Sequence, residues 1–189
     1  MNIGVISGSS RPNNNTLRVA KAIAALAENV EIVDFQNFDI PSFAKGAMVP
    51  GEETIFQKDL IRVIDEADLL FVLTPEYNWF PTAEIIQMLH VLGNDTYKHI
   101  FDEKVIASIG VSAGRGGRMP AVQLNTVFSK IISYFNLNSV VSPKCFEAQE
   151  ITQCIDNAGE LQENQAFNAG LKQFIDYSVK LAKRWQPNA

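Results

Sequence analysis

The sequence predicts a three-layer, doubly wound α/β fold, and three observations carry that expectation. Apolar strand-like runs recur along the chain, stretches of helical spacing separate them, and the runs are too continuously apolar to leave one face in water. Such strands, alternating with helices, make a parallel sheet covered on both sides. Five β-α units with right-handed crossovers leave few topologies, and a five-stranded sheet in the order 2-1-3-4-5 is the common solution.

The strand-like runs are Ile3 to Ser7, Val30 to Phe35, Leu69 to Thr74, Val105 to Val111 and Val140 to Val141. Helices are expected over Thr16 to Glu28, Glu53 to Glu66, Thr82 to Leu92, Met119 to Phe135 and Glu160 to Trp185. In the first, Leu17, Ala20, Ala24 and Leu26 mark a small-residue apolar face; in the second, Phe56, Leu60, Ile61, Val63 and Ile64 recur at helical spacing. The stretch from Gln36 to Thr54 contains Pro41, Gly46, Pro50 and Gly51 and reads as a long ordered loop rather than a linker. One domain over residues 1–189 is expected, with no internal repeat and no low-complexity tract.

Composition narrows the function. The chain has 189 residues, 47% hydrophobic and 20% charged, which is ordinary for a globular protein able to bury a full core. Its formal charge of −5 offers no basic field for a nucleic-acid backbone, so no nucleic-acid partner is expected. Any bound phosphate must be held by a local site that overrides this field. Cys145 and Cys154 lie apart from any His or Cys cluster and suit neither a zinc site nor a disulfide framework, and no metal is expected. No segment approaches the roughly 20 apolar residues of a membrane helix, and no leader precedes Ile3, so a cytoplasmic protein is expected.

In doubly wound sheets ligands sit beyond the carboxyl ends of the strands, at the point where strand order reverses. The segments after strands 1, 3 and 4 are all unusual here. After strand 1 comes Gly8-Ser9-Ser10-Arg11-Pro12-Asn13-Asn14-Asn15-Thr16, where hydroxyls, amides and one Arg gather at a helix N-terminus with free N–H groups. That is a cradle for a monophosphate; it has neither the three glycines of a dinucleotide fingerprint nor the Gly-Lys-Ser/Thr of a Walker loop. The plainer alternative is that Asn15 or Thr16 caps the helix and Arg11 is solvated.

After strand 3 comes Thr74-Pro75-Glu76-Tyr77-Asn78-Trp79-Phe80-Pro81, a stiff aromatic loop suited to walling a planar heterocycle or to packing a subunit interface. After strand 4 comes Ser112-Ala113-Gly114-Arg115-Gly116-Gly117-Arg118, whose glycines allow N–H groups to converge on one acceptor edge, or simply make a flexible turn. His90 and His99 are isolated and read as surface residues, and Asp95 and Asp102 as loop and cap residues.

These motifs together resemble the NADPH-dependent FMN reductase family of flavodoxin-like proteins, which includes quinone, chromate and azo-dye reductases, and the resemblance runs from Ile3 to about Cys145. The family's Gly-Ser-x-Arg loop is matched by Gly8, Ser9 and Arg11, followed by Asn14, Asn15 and Thr16, and implies binding of the FMN phosphate. Its Pro-Glu-Tyr-Asn stands as Pro75, Glu76, Tyr77 and Asn78 after Ala67, Asp68 and Thr74, and implies contacts to the isoalloxazine and ribityl. Ser112, Gly114, Arg115, Gly116 and Gly117 resemble the loop that approaches the pyrimidine edge, and Asp39-Ile40-Pro41-Ser42-Phe43 is similar to a Leu-Pro-x-Phe element.

The resemblance implies FMN as cofactor and NADPH or NADH as co-substrate, with hydride transfer to the flavin and onward transfer to a small acceptor. It implies no protein nucleophile or general base, and a homodimer or homotetramer. Glu76 is expected to turn its carboxylate away from the ring, where it would oppose the negative charge of a reduced flavin. In one place the sequence departs from the family: after Asn78, where relatives carry Gly-Ser or Gly-Thr, then Pro-Gly and Leu-Lys-Asn, it has Trp79-Phe80-Pro81-Thr82-Ala83-Glu84-Ile85-Ile86. Two bulky aromatics narrow the mouth over the ring, which raises the alternative of an FMN-binding electron carrier that excludes nicotinamide.

Overall fold

The computed structural model describes residues 1–185, apart from the side chain of Phe43. Strands β1 (Ile3–Ser7), β2 (Val30–Asp34), β3 (Leu69–Pro75), β4 (Val105–Val111) and β5 (Val140–Val141) form a parallel sheet in the order β2-β1-β3-β4-β5. This is the expected flavodoxin-like order. Every residue of β1, β3 and β4 is buried, which is why these runs lack polar alternation.

A sixth short strand, β6 (Phe146–Ala148), pairs with the carboxyl end of β4, where Ile109 lies opposite Phe146 and Val111 opposite Ala148. The position expected to hold a single fifth strand is therefore filled by two segments. Pro143 lies between them and has no N–H to continue a ladder, so the edge breaks there.

Helices α1 (Asn15–Leu26) and α6 (Gln165–Trp185) cover one face of the sheet, with the single turn α5 (Ile151–Cys154). Helices α2 (Ile55–Glu66), α3 (Ala83–Leu92) and α4 (Arg118–Phe135) cover the other. The alternation of β3 divides between the layers: Phe71 packs with Phe174 of α6, and Leu70 and Val72 join the cluster of α2, α3 and α4. Each such fully buried side chain contributes about 2–3 kcal/mol relative to exposure.

The buried residues of α1 are Thr16, Val19, Ala20, Ala22 and Ile23; of the expected apolar face only Ala20 is buried, Leu17 and Ala24 are half-buried and Leu26 is exposed, so the stripe facing the sheet is rotated from the expected one. Helix α6 starts at Gln165 and not at Glu160. The Oδ1 atom of Asn164 accepts the N–H of Phe167 at 3.0 Å and so caps it, and an isolated bridge between Ile155 and Leu161 occupies the preceding stretch. Helix α2 starts at a capping box, in which the Thr54 hydroxyl accepts from Gln57 N–H and the Gln57 side chain accepts from Thr54 N–H. Both cysteines are free thiols whose burial pushes their proton affinity up.

Candidate functional site

The three loops after β1, β3 and β4 stand side by side because those strands are neighbours in register: Ser7 lies opposite Leu73 and Pro75 opposite Val111. They open at the carboxyl edge of the sheet. Strand order reverses between β1 and β3, so these loops stand at the switch point.

In the first loop Asn14 is the organiser. Its Oδ1 atom accepts the N–H of Leu17 at 2.7 Å, capping α1, and also accepts the hydroxyls of Thr16 and Ser7. Its Nδ2 group donates to the carbonyls of Arg11 at 2.9 Å and Ser9 at 3.3 Å, closing the loop on itself. Thr16 is fully buried and accepts from the Ser7 hydroxyl at 3.1 Å. The cap is thus Asn14, neither Asn15 nor Thr16, and the side chains of Asn14 and Thr16 are occupied by the protein itself. The buried Ser9 hydroxyl accepts the Arg11 N–H at 3.4 Å, in the same loop that leads into the N-terminus of α1. No acidic residue lies in the first turn of α1.

The second loop is a tight reversal, with Tyr77 and Phe80 exchanging two backbone hydrogen bonds of 3.2 and 3.1 Å. The two residues between them, Asn78 and Trp79, have φ of 50° and 66°. Positive φ at both central positions is the signature of a type I′ turn, for which Asn-Gly is favoured. Trp79 and Phe80 are exposed at the rim, 68% and 63%.

Glu76 does not stand free at the mouth. Its Oε2 atom accepts the Gly117 N–H at 2.6 Å, so its carboxylate is turned into the third loop. A Cβ on Gly116 would lie 1.8 Å from that oxygen, so a side chain there would displace the Glu76 carboxylate. The N–H groups expected to converge on one outside acceptor are therefore partly spent: Gly117 serves Glu76, and Gly114 donates to the Ser112 hydroxyl at 3.2 Å. A side chain at Gly114 would meet open space, and Arg115 is exposed with its Nε 3.5 Å from Glu150.

The three loops are braced against one another by residues far apart in sequence. The Arg11 guanidinium lies 4.5 Å over the Tyr77 ring, joining the first loop to the second. The Thr82 hydroxyl donates to the Gly8 carbonyl at 2.7 Å while its backbone N–H donates to the Thr74 hydroxyl at 3.1 Å, and the Ser10 hydroxyl donates to Glu84. Gln123 donates to the Trp79 carbonyl at 3.3 Å. Sequence reasoning missed Ser10, Thr82, Glu84 and Gln123 as parts of this arrangement. Thr82 could have been found as a helix cap after Pro81, whereas the pairing of Ser10 with Glu84 has no local signal.

This donor set fits a phosphate ester beside a planar heteroaromatic ring: one cation and open amides at the first loop, aromatic walls at the second, and open backbone at Gly114. Among the described residues there is no group of three or more His, Cys, Asp or Glu able to hold a metal ion, and no helix long and apolar enough to cross a membrane.

Comparison with known proteins agrees with this geometry. The family model described as NADPH-dependent FMN reductase matches residues 1–147. Among solved structures the chain is similar to FerB, a flavoenzyme NAD(P)H:(acceptor) oxidoreductase from Paracoccus denitrificans, with a TM-score of 0.75, 18% identity and 97% of each chain covered. It is also similar to the apo form of EMOB, an NADH:FMN oxidoreductase, with a TM-score of 0.64, 15% identity and coverage of 95% of this chain and 89% of that one. A flavodoxin from the domain Archaea aligns with a TM-score of 0.53 at 10% identity over 98% of this chain and 99% of that one. At these identities the likeness is one of fold.

Proposed function

The chain belongs to the NADPH-dependent FMN reductase family, and on that premise we propose that it oxidises NAD(P)H through bound FMN and passes the electrons to a small acceptor such as a quinone, a flavin, an azo compound or chromate. The observation that carries this reading is the meeting of three ligand-type loops at the switch point of the sheet, braced by Arg11 on Tyr77 and by Glu76 on Gly117.

In this reading Ser9, Arg11 and the N–H groups of Asn15 and Thr16 take the phosphate, while the Asn14 and Thr16 side chains hold the loop in shape. Pro75, Tyr77 and Asn78 flank the ring and ribityl. Ser112, Gly114, Arg115 and Gly116 face the pyrimidine edge, with Glu76 fixing the third loop. FMN held there would supply the redox chemistry that no side chain of this chain provides, namely hydride and electron transfer. The protein's own task is placement and electrostatics, and no side chain has to act as nucleophile or general base.

The chain would work as one FMN-binding domain in the cytoplasm, assembled as a homodimer or homotetramer. Exposed Met119 and Val122 on α4, near Trp79, support assembly through this rim. The test is an absorbance spectrum of the purified protein with FMN, then with NADPH under anaerobic conditions. Flavin bands that bleach are the expected result. Bands that persist favour the second reading, a flavin electron carrier that excludes nicotinamide, which the exposed Trp79-Phe80 pair at the mouth supports.

A further inference from the structure

Gly8, the first residue of the loop after β1, is buried and held by both of its backbone groups to elements far along the chain. Its N–H donates to the Leu73 carbonyl of β3 at 2.9 Å, and its carbonyl accepts the Thr82 hydroxyl at 2.7 Å. The space around it is filled as well, since a Cβ there would lie 2.5 Å from the Leu73 carbonyl oxygen and 2.5 Å from the Ile85 side chain. The far end of the loop is closed locally by Asn14, which caps α1. One end is thus set by its own segment and the other by the start of α3.

Thr82 is the anchor at α3. It is 1% exposed, and it reaches two different loops through two different groups. Its backbone N–H donates to the Thr74 hydroxyl at 3.1 Å, near the end of β3 where the aromatic loop begins. Its side-chain hydroxyl donates to Gly8 and accepts the Ile85 N–H at 3.4 Å, capping α3. A substitution at position 82 keeps the first link, because every residue other than proline has that N–H, and breaks the second whenever the hydroxyl is lost. The buried Gly8 carbonyl then lacks its donor, and the loop after β1 must shift to find another.

We propose that Thr82 is a positioning residue that holds the loop after β1 at a fixed spacing from the aromatic loop, so that one ligand engages both at once. The inference rests on the FMN reading of this site, in which the first loop takes the phosphate and the second flanks the ring. When two binding groups are joined by a chain of set length, the second contact adds affinity only where the geometry allows both together. A ligand with the ring alone is indifferent to the spacing.

The test is equilibrium titration of flavin-free wild type, Thr82→Ser and Thr82→Ala with FMN and riboflavin, followed by quenching of flavin fluorescence. Both variants lack the threonine methyl, and they differ from each other only in the hydroxyl. The expected result is that Thr82→Ser keeps the wild-type preference for FMN over riboflavin, whereas Thr82→Ala lowers it about tenfold through FMN alone and binds riboflavin as before. Thr82→Val, of threonine's size and likewise without a donor, is read in the same way should Thr82→Ala not fold. Equal losses of both flavins overturn the inference, because loss of the α3 cap would weaken the ring loop for either ligand. An unchanged preference in the variant without the hydroxyl overturns it too, and so does a lowered preference in Thr82→Ser. A wild type that binds neither flavin, or both equally, refutes the FMN reading itself, and the inference falls with it.

Discussion

Arg11 is the one cation of the first loop and it is held over Tyr77 at 4.5 Å, so its guanidinium is pre-placed and little ordering remains to be done on binding. Arg11→Ala should weaken FMN binding about tenfold or more, as expected for a charge-assisted hydrogen bond, and leave riboflavin affinity unchanged. Equal losses for both flavins would show that Arg11 acts through the aromatic loop instead. Trp79 poses the opposite case. A bulky side chain at φ 66° costs about 1–2 kcal/mol, and with most of its surface exposed it recovers little by packing. Trp79→Gly should therefore raise the melting temperature by about 2–4 °C, allowing for the extra freedom glycine gains when unfolded. A lower melting temperature would mean that the indole packs more productively than its exposure indicates. The departure at Trp79 was legible in the sequence as a missing glycine; that it stands in a left-handed turn was not, because a turn type is a property of backbone dihedrals.

At the scale of elements, the third loop and the α2 to β4 corner show how close contacts set what substitutions are tolerated. Gly110, near the end of β4, faces the start of α4: a Cβ there would lie 1.7 Å from the Gly117 carbonyl oxygen, and Gly117 has φ of 101°. Gly110→Ala must push the Gly117 turn outward and pull its N–H away from Glu76. Its FMN affinity should fall while far-ultraviolet circular dichroism stays native, and unchanged affinity would remove the third loop from the site. At the opposite edge Lys104 is buried, and its Nζ donates to the carbonyls of Ile64, Asp65 and Ala67 at 2.8, 3.1 and 3.1 Å, closing the C-terminus of α2. Burial outweighs the attraction of Asp65, Asp68, Asp102 and Glu103 and pushes its pKa down to about 8 from 10.5. The unfolded chain then holds this proton more tightly than the folded one. Below about pH 8 Lys104 is charged in both states and its desolvation opposes folding; that opposition is relieved as pH rises from about 8 to 10.5. Urea unfolding of wild type and Lys104→Met across that window should show the wild type gaining stability relative to the variant. At pH 7 the variant should still be less stable by about 2 kcal/mol or more, since it orphans three carbonyls. A stability difference that does not vary with pH would place the folded-state pKa near its ordinary value.

For the whole molecule, a net charge of −5 means that anionic FMN approaches against the overall field and is captured only by local donors. Raising ionic strength from about 0.01 to 0.15 M should therefore speed FMN association, because the Debye length shrinks from about 30 to 8 Å and screens the repulsion. Slower association with salt would show that the cradle's own field reaches further than the net charge. Much of this architecture was legible from residue types. Continuous apolar runs at Ile3 to Ser7, Leu69 to Thr74 and Val105 to Val111 can be satisfied only by burial on both faces, which specifies parallel strands with helices between them, and the loops after β1, β3 and β4 then fall at the switch point. The break between β5 and β6 and the late start of α6 were hidden, although Pro143 and Asn164 are local signals for them. The sequence by itself thus determined the layers, the strand order and which three segments could form a site, since these follow from local periodicity and from the handedness of crossovers. Only the tertiary structure decided how the site's groups are allotted. Whether Glu76 faces the mouth or Gly117 and whether Ser10 is free or held by Glu84 depend on hydrogen bonds between residues 41 and 74 positions apart, and no local pattern encodes a partner that the fold alone brings within reach.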